Sequence, residues 1–224
     1  MFQVKICGLT NVEDAQAAAV AGADAIGLNF CSQSSRCIDP SVARHICQTL
    51  PPGVLRVGVF VNVSAAIIHE LVEVADIRID LIQLHGDEPP EFLAELGRAV
   101  SIPVMRAFRL GPEGGRSILE YLESCDRLGC LPRMILIDAY EPGRYGGTGR
   151  AADWAAVREL PRESLPPIVL AGGLTPENVA QAIKTARPAA VDVAGGVEAS
   201  PGRKDARLVR AFAAAARAAW EDTP

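Results

Sequence analysis

A thiol and a carboxylate each close a short strand-like run, Cys7 after Val4-Lys5-Ile6 and Asp138 after the wholly apolar Ile135-Leu136-Ile137. An ionisable group in such a place is costly unless it reaches solvent, a partner or a ligand. Taken singly, Cys7 reads as packing, because free cysteine is among the most buried residue types. Asp138 taken singly reads equally as a cap or an ion-pair member. The pair is more informative: a thiol and a carboxyl group facing one substrate from different sides can move protons. Free thiols titrate at about 8.5 and free aspartates at about 3.9. A thiolate base working with a neutral acid therefore needs the two values to converge, through burial of the acid and through backbone N–H groups or a cation beside the thiol.

Three glycine-rich turns lie later in the chain, at Gly146-Gly147-Thr148-Gly149, Ala171-Gly172-Gly173-Leu174 and Ala194-Gly195-Gly196-Val197. Glycine lets the backbone approach a ligand closely, and N–H groups at the start of a helix hold an anion by direct bonds and by dipole. Gly172, Gly173, Ala194, Gly195 and Gly196 are thus the expected phosphate-binding positions, and a phosphorylated substrate follows. Gln83 and His85 share one face of a strand, where they could line the ligand pocket or form an ordinary polar layer. Lys5 has the strand parity of Cys7 and is expected one layer deeper. There it is read as the partner of an inward carboxylate, Asp192, in preference to a Schiff-base lysine.

What must position these groups is legible in the alternation of short β-branched apolar runs with longer helical stretches. Strands are expected at 2–8, 23–30, 55–62, 81–86, 104–110, 134–140, 168–172 and 190–194, and helices near 12–21, 40–50, 64–75, 89–98, 114–128, 151–159, 176–186 and 205–221. Eight such pairs in 224 residues, roughly 28 per unit, predict a compact (β/α)8 barrel, whose reactive groups gather at the carboxyl ends of the strands. Thr10-Asn11-Val12-Glu13 reads as a capping box, Thr175-Pro176 as an N-cap before proline, and Gly22 and Gly129 as helix stops. No linker or composition shift divides the chain, so 1–224 is read as a single barrel domain. An open doubly wound sheet is the alternative, but Gly8-Leu9-Thr10 lacks its glycine fingerprint.

Composition narrows the function classes. The chain is 49% hydrophobic and 22% charged, with a net charge of -5. It carries no basic tract for nucleic acid, no apolar run long enough for a bilayer and no secretory leader, so a cytoplasmic location without nucleic-acid or membrane partners is expected. Six cysteines without a CxxC pair read as reduced thiols. Because the net charge mildly opposes anions, a phosphate must be held by local dipoles and individual cations.

The chain resembles the phosphoribosylanthranilate isomerases, (β/α)8 enzymes of tryptophan biosynthesis. The segments that carry the likeness are Val4-Lys5-Ile6-Cys7-Gly8-Leu9-Thr10, Gly22-Ala23-Asp24-Ala25, Val57-Gly58-Val59-Phe60-Val61-Asn62 and Gln83-Leu84-His85-Gly86-Asp87-Glu88. They continue with Ile137-Asp138-Ala139, Gly146-Gly147-Thr148-Gly149, Leu170 through Val179, and Gly195 through Gly202. The resemblance implies a cofactor- and metal-free Amadori rearrangement of N-(5-phosphoribosyl)anthranilate to 1-(2-carboxyphenylamino)-1-deoxyribulose 5-phosphate. It makes Cys7 the general base and Asp138 the general acid, and gives Arg36 the anthranilate carboxylate. Arg36, Gln83, His85 and Asp192 are the expected substrate-binding residues. It further implies a monomer or a homodimer.

Two departures stand out. Ser35 replaces the proline usual before the arginine, which predicts a less pre-organised loop. Ala194-Gly195 replaces side chains that offer hydroxyl contacts, leaving backbone N–H groups to hold phosphate. The rival readings are the histidine-pathway aminosugar isomerase, whose corresponding base is an aspartate, and a non-catalytic phosphosugar-binding barrel.

Overall fold

The computed structural model describes residues 2–110, 115–138 and 154–222. Eight parallel strands close into a barrel in chain order: β1 (Val4–Cys7), β2 (Ala25–Asn29), β3 (Leu55–Phe60), β4 (Leu81–Leu84), β5 (Val104–Arg109), β6 (Met134–Asp138), β7 (Ile168–Leu170) and β8 (Ala190–Val193). Closure is made by β1 pairing with β8, Lys5 opposite Asp192, which removes the open-sheet alternative. The helices α1 (Val12–Val20), α2 (Pro40–Thr49), α3 (Ala65–His69), α4 (Pro90–Ala99), α5 (Arg116–Arg127), α6 (Trp154–Arg158), α7 (Val179–Ala186) and α8 (Ala206–Glu221) alternate with them. After α3 the chain continues as a π-helical turn, Glu70–Val74. A short hairpin, β9 (Glu198–Ser200) with β10 (Arg203–Lys204), follows β8. Among the described residues no helix is long and apolar enough to cross a membrane.

The strands read as nearly unbroken apolar runs because a parallel sheet is buried on both faces. Outward residues such as Ile6, Ile26, Leu84 and Ile137 join the helices in one core, whereas Ala25, Val57, Met105, Leu136 and Val169 fill the barrel interior. Strand alternation therefore assigns odd positions of β1 (Lys5, Cys7) and even positions of β6 (Leu136, Asp138) to the inner face. Cys47 and Cys125 are buried hydrophobes of this core, while Cys37 is exposed.

Local signals were displaced in two places. Asn11, not Thr10, caps α1: its Oδ1 accepts from Asp14 N at 2.8 Å and its Nδ2 donates to Asp14 Oδ2 at 2.9 Å. Thr10 instead donates its hydroxyl to the Gly202 carbonyl at 2.6 Å, a contact 192 residues away that no local pattern encodes. Helix α7 starts at Val179, because 176–178 form a turn in which Thr175 Oγ1 accepts from Glu177 N and Asn178 Oδ1 accepts from Thr175 N. Gly22 and Gly129 do stop α1 and α5, each with φ in the left-handed region, +94° and +67°.

Candidate active site

Cys7 is the last residue of β1, faces the barrel mouth and is partly accessible. Its sulfur lies over Gly27, its register partner on β2: a Cβ at position 27 would sit 2.6 Å from Sγ. One layer deeper, Lys5 is fully buried and its Nζ donates to Asp192 Oδ1 at 2.8 Å, so the pairing expected for Lys5 is present. Asp192 is thereby committed to a buried ion pair below the thiol. Burial pushes the Cys7 thiol up, as does the Asp192 charge, while Lys5 and, more weakly, Lys204 pull it down; the net direction is upward. The cation that the proton chemistry calls for is thus in place, but desolvation outweighs it. For Lys5 burial works against the charge, yet Asp192 and the thiol together hold its pKa above the ordinary lysine value.

Across the barrel, a Gln83 amide hydrogen lies against His85 Nδ1, Nε2 to Nδ1 being 2.6 Å. The ring's other nitrogen, Nε2, faces Asp138 Oδ2 at 3.5 Å. Gln83 is buried, whereas His85 and Asp138 are each about a quarter exposed at the mouth. Asp138 pairs in register with Arg109 at the end of β5. A cavity of ≈ 180 Å³ opens here, lined by His85, Gly86, Arg106, Phe108 and Arg109 among others. Arg106, on the outer face of β5, donates to the carbonyls of Leu84, Gly86 and Ala107 and lies over both the Phe108 and the Tyr121 rings. It fixes the strand ends that carry His85.

Arg36 stands in the loop between β2 and α2. Ser34 ties the loop to the end of β2: its Oγ accepts from Arg36 N and from Asn29 Nδ2, both at 3.1 Å. The guanidinium is not free: Nε and Nη2 donate to Glu198 Oε1 and Oε2, each at 2.7 Å. Glu198 Oε1 also accepts from Lys204 Nζ at 2.8 Å and Gly202 N at 3.3 Å. Burial alone would raise the Glu198 carboxyl, but Arg36 and Lys204 outweigh it and hold it below the ordinary glutamate value. The Arg36 side chain crosses Gly8, where any Cβ would collide with its Cδ, and Gly8 itself adopts φ +77°. Glu198 and Lys204 carried no assigned role in the sequence. They lie 162 and 168 positions from Arg36, and only the barrel's closure brings them to it.

The glycine turns after β7 and β8 adjoin. Gly172 and Gly173 have φ of +86° and +62°. Gly195–Val197 forms a single 3₁₀ turn after Ala194, and a Cβ on Gly196 would collide with the Leu174 carbonyl. The second turn can approach the first because Gly196 lacks a side chain. The third turn, 146–149, lies outside the described residues.

The model of the family described as N-(5'phosphoribosyl)anthranilate isomerase matches residues 4–215. The chain belongs to this family. An N-(5'-phosphoribosyl)anthranilate isomerase of Geobacter metallireducens is 45% identical over 221 residues, which cover 97% of this chain and 100% of that protein. The crystal structure of the phosphoribosyl anthranilate isomerase from Thermotoga maritima superposes with a TM-score of 0.85 at 40% identity, covering 97% of this chain and 100% of the other. An isomerase crystallised with reduced 1-(o-carboxyphenylamino)-1-deoxyribulose 5-phosphate gives 0.80 at 39% identity, again over 97% and 100%. The isomerase barrel is thus common to all of them, and Cys7 and Asp138 occupy the strand ends at which such barrels carry their chemistry.

Proposed function

We propose that this phosphoribosylanthranilate isomerase of tryptophan biosynthesis performs its Amadori rearrangement with Asp138 as general acid and Cys7 as general base. The observation that carries the assignment is the placement of the two side chains on the inner face at the carboxyl ends of β1 and β6. Asp138 protonates the furanose ring oxygen as the C1′–O bond breaks, the anilino nitrogen lone pair forming the C1′=N bond. Cys7 then takes the C2′ proton. The released pair forms C1′=C2′ and returns the C1′=N electrons to nitrogen. Tautomerisation of the enol to the C2′ ketone, with protonation at C1′, completes the product.

The remaining groups fit this reading. Lys5 offers a cation to the thiolate, and Asp192, its partner, serves the site through Lys5 more than through direct contact with substrate. His85, steadied by Gln83, faces the carboxyl group that delivers the first proton. Backbone N–H groups of Gly172, Gly173 and the turn at Ala194, Gly195 and Gly196 would receive the phosphate, and Arg36 the anthranilate carboxylate. Every one of these residues comes from one chain, so a monomer and a homodimer would carry the same site. A cytoplasmic location suits an enzyme whose substrate is a multiply charged phosphate ester.

The test is the loss of phosphoribosylanthranilate fluorescence on adding purified protein, run beside the histidine-pathway aminosugar phosphate. Turnover of the first alone supports the reading. Turnover of the second alone, or of neither, refutes it, the latter in favour of a non-catalytic phosphosugar-binding barrel.

A further inference from the structure

We infer that Glu198 is a positioning residue that presents Arg36 to the carboxylate of the substrate and so sets specificity for a carboxylated aromatic ring. The inference deepens the isomerase reading and rests on it. A guanidinium has two edges that can each take a carboxylate bidentately: side-on through Nε and one Nη, and end-on through the two Nη groups. Glu198 occupies the side-on edge, with both distances at 2.7 Å. Nη1 makes no hydrogen bond among the described residues, so the end-on edge is left for a second carboxylate. Exposure agrees with this division: the Arg36 side chain is 30% exposed, whereas those of Glu198 and Lys204 are 6% and 2% exposed.

Glu198 is itself fixed. Lys204 Nζ, which also donates to the Ala194 carbonyl at 3.0 Å, and Gly202 N both donate to it. Gly202 is held in turn by the Thr10 hydroxyl on its carbonyl. Arg36 is thus held from the β9–β10 hairpin while its stem lies across Gly8, the residue next to the thiol. The cluster of Arg36, Lys204 and Glu198 carries a net charge of +1, which suits one incoming anion. Flexible arginines lose rotamer entropy on binding; an arginine already clamped on one edge has less to lose.

The experiment compares two probes by calorimetry: the reduced rearrangement product and the same compound without its ring carboxylate. Wild type should prefer the carboxylated probe strongly, since a site built for a polar group rejects the analogue that lacks it. Arg36→Met should abolish most of that preference. Glu198→Gln should cut it by about tenfold or more, should raise KM for phosphoribosylanthranilate more than it lowers kcat, and should add nothing further in an Arg36→Met background. Glu198→Asp, which keeps the charge but draws it back, should give a smaller loss of the same kind, and decides the matter if the Gln variant does not fold. An unchanged preference in the Glu198 variants, while Arg36→Met loses it, overturns the positioning role alone. Tighter binding in Glu198→Gln also overturns it, because Glu198 would then be a competitor of the ligand. Loss of affinity for both probes alike makes Glu198 merely structural. An Arg36→Met variant that keeps its preference removes the carboxylate from Arg36, and wild type without isomerase activity removes the reading beneath.

Discussion

Gly27→Ala tests whether the position of the Cys7 sulfur matters to turnover. Gly27 is opposite Cys7 in the β1–β2 ladder, and its carbonyl accepts from both Gly8 N and Leu9 N, at 2.9 and 3.0 Å. Its φ is not in the left-handed region, so alanine brings no backbone strain and the perturbation is steric alone. The new methyl would lie 2.6 Å from Sγ, 3.0 Å from Cys7 Cα and 3.2 Å from Cys7 Cβ. An ordinary carbon–sulfur contact is longer by about 1 Å, so the sulfur must swing away by roughly that amount, and displacements of that size cost about 10²-fold in rate. The expected result is a kcat about 10²-fold lower, equivalent to ~2.7 kcal/mol of barrier, with KM changed far less. Overpacking should cost about 1–3 kcal/mol of stability. Steady-state kinetics by substrate fluorescence and denaturation by urea read both. In a Cys7→Ala background the sulfur contact is gone but the contacts to Cα and Cβ persist, so the stability cost should shrink without vanishing, a coupling on the order of 1 kcal/mol. A folded Gly27→Ala enzyme with kcat within twofold or threefold of wild type would refute the requirement for a fixed sulfur.

Cys7→Ala and Asp138→Asn should each lower kcat by about 10²–10⁴-fold while calorimetry finds near-native affinity for the reduced product; full activity in either removes that residue's role. Lys5→Met leaves Asp192 buried without its cation and should cost about 3–5 kcal/mol. Iodoacetamide trapping of Cys7 in the surviving folded fraction should then need a higher pH than in wild type; an unchanged midpoint means that Lys5 does not act on the thiol. Alkaline stability should fall as thiols ionise. Burial pushes Cys47 up to about 11 and Cys125 up to about 12, and raises Cys7, all above the ordinary 9.0. The folded chain therefore binds these protons more tightly than the unfolded one, so their contribution is complete below the ordinary value and declines as pH rises from 9 toward 11 and 12. Urea midpoints measured from pH 8 to 11 should decline, and Cys47→Ala should flatten that slope. At the acid end, burial would raise Asp24 and Glu198, but backbone N–H groups with Arg217, and Arg36 with Lys204, lower them instead. Their contribution is present above the unfolded values and is lost as pH falls through the folded ones.

Much of this molecule was written in local pattern. Eight β-branched runs separated by helical stretches specify a (β/α)8 barrel because each run must be buried on both faces, and all eight strands form where those runs lie. Strand parity put Lys5 beneath Cys7, and the need of a buried lysine for a carboxylate pointed to Asp192. Paired glycines marked the adjoining turns after β7 and β8. Tertiary structure decided whatever depends on closing the barrel. It engaged Arg36 with Glu198 and Lys204, diverted Thr10 from capping α1 to holding Gly202, and set Gly27 against the sulfur. It also decided the balance at the thiol, where burial outweighs the lysine. Periodicity encodes which face a residue takes; contacts between distant segments, and the desolvation that comes with them, exist only once the ends of the chain have met.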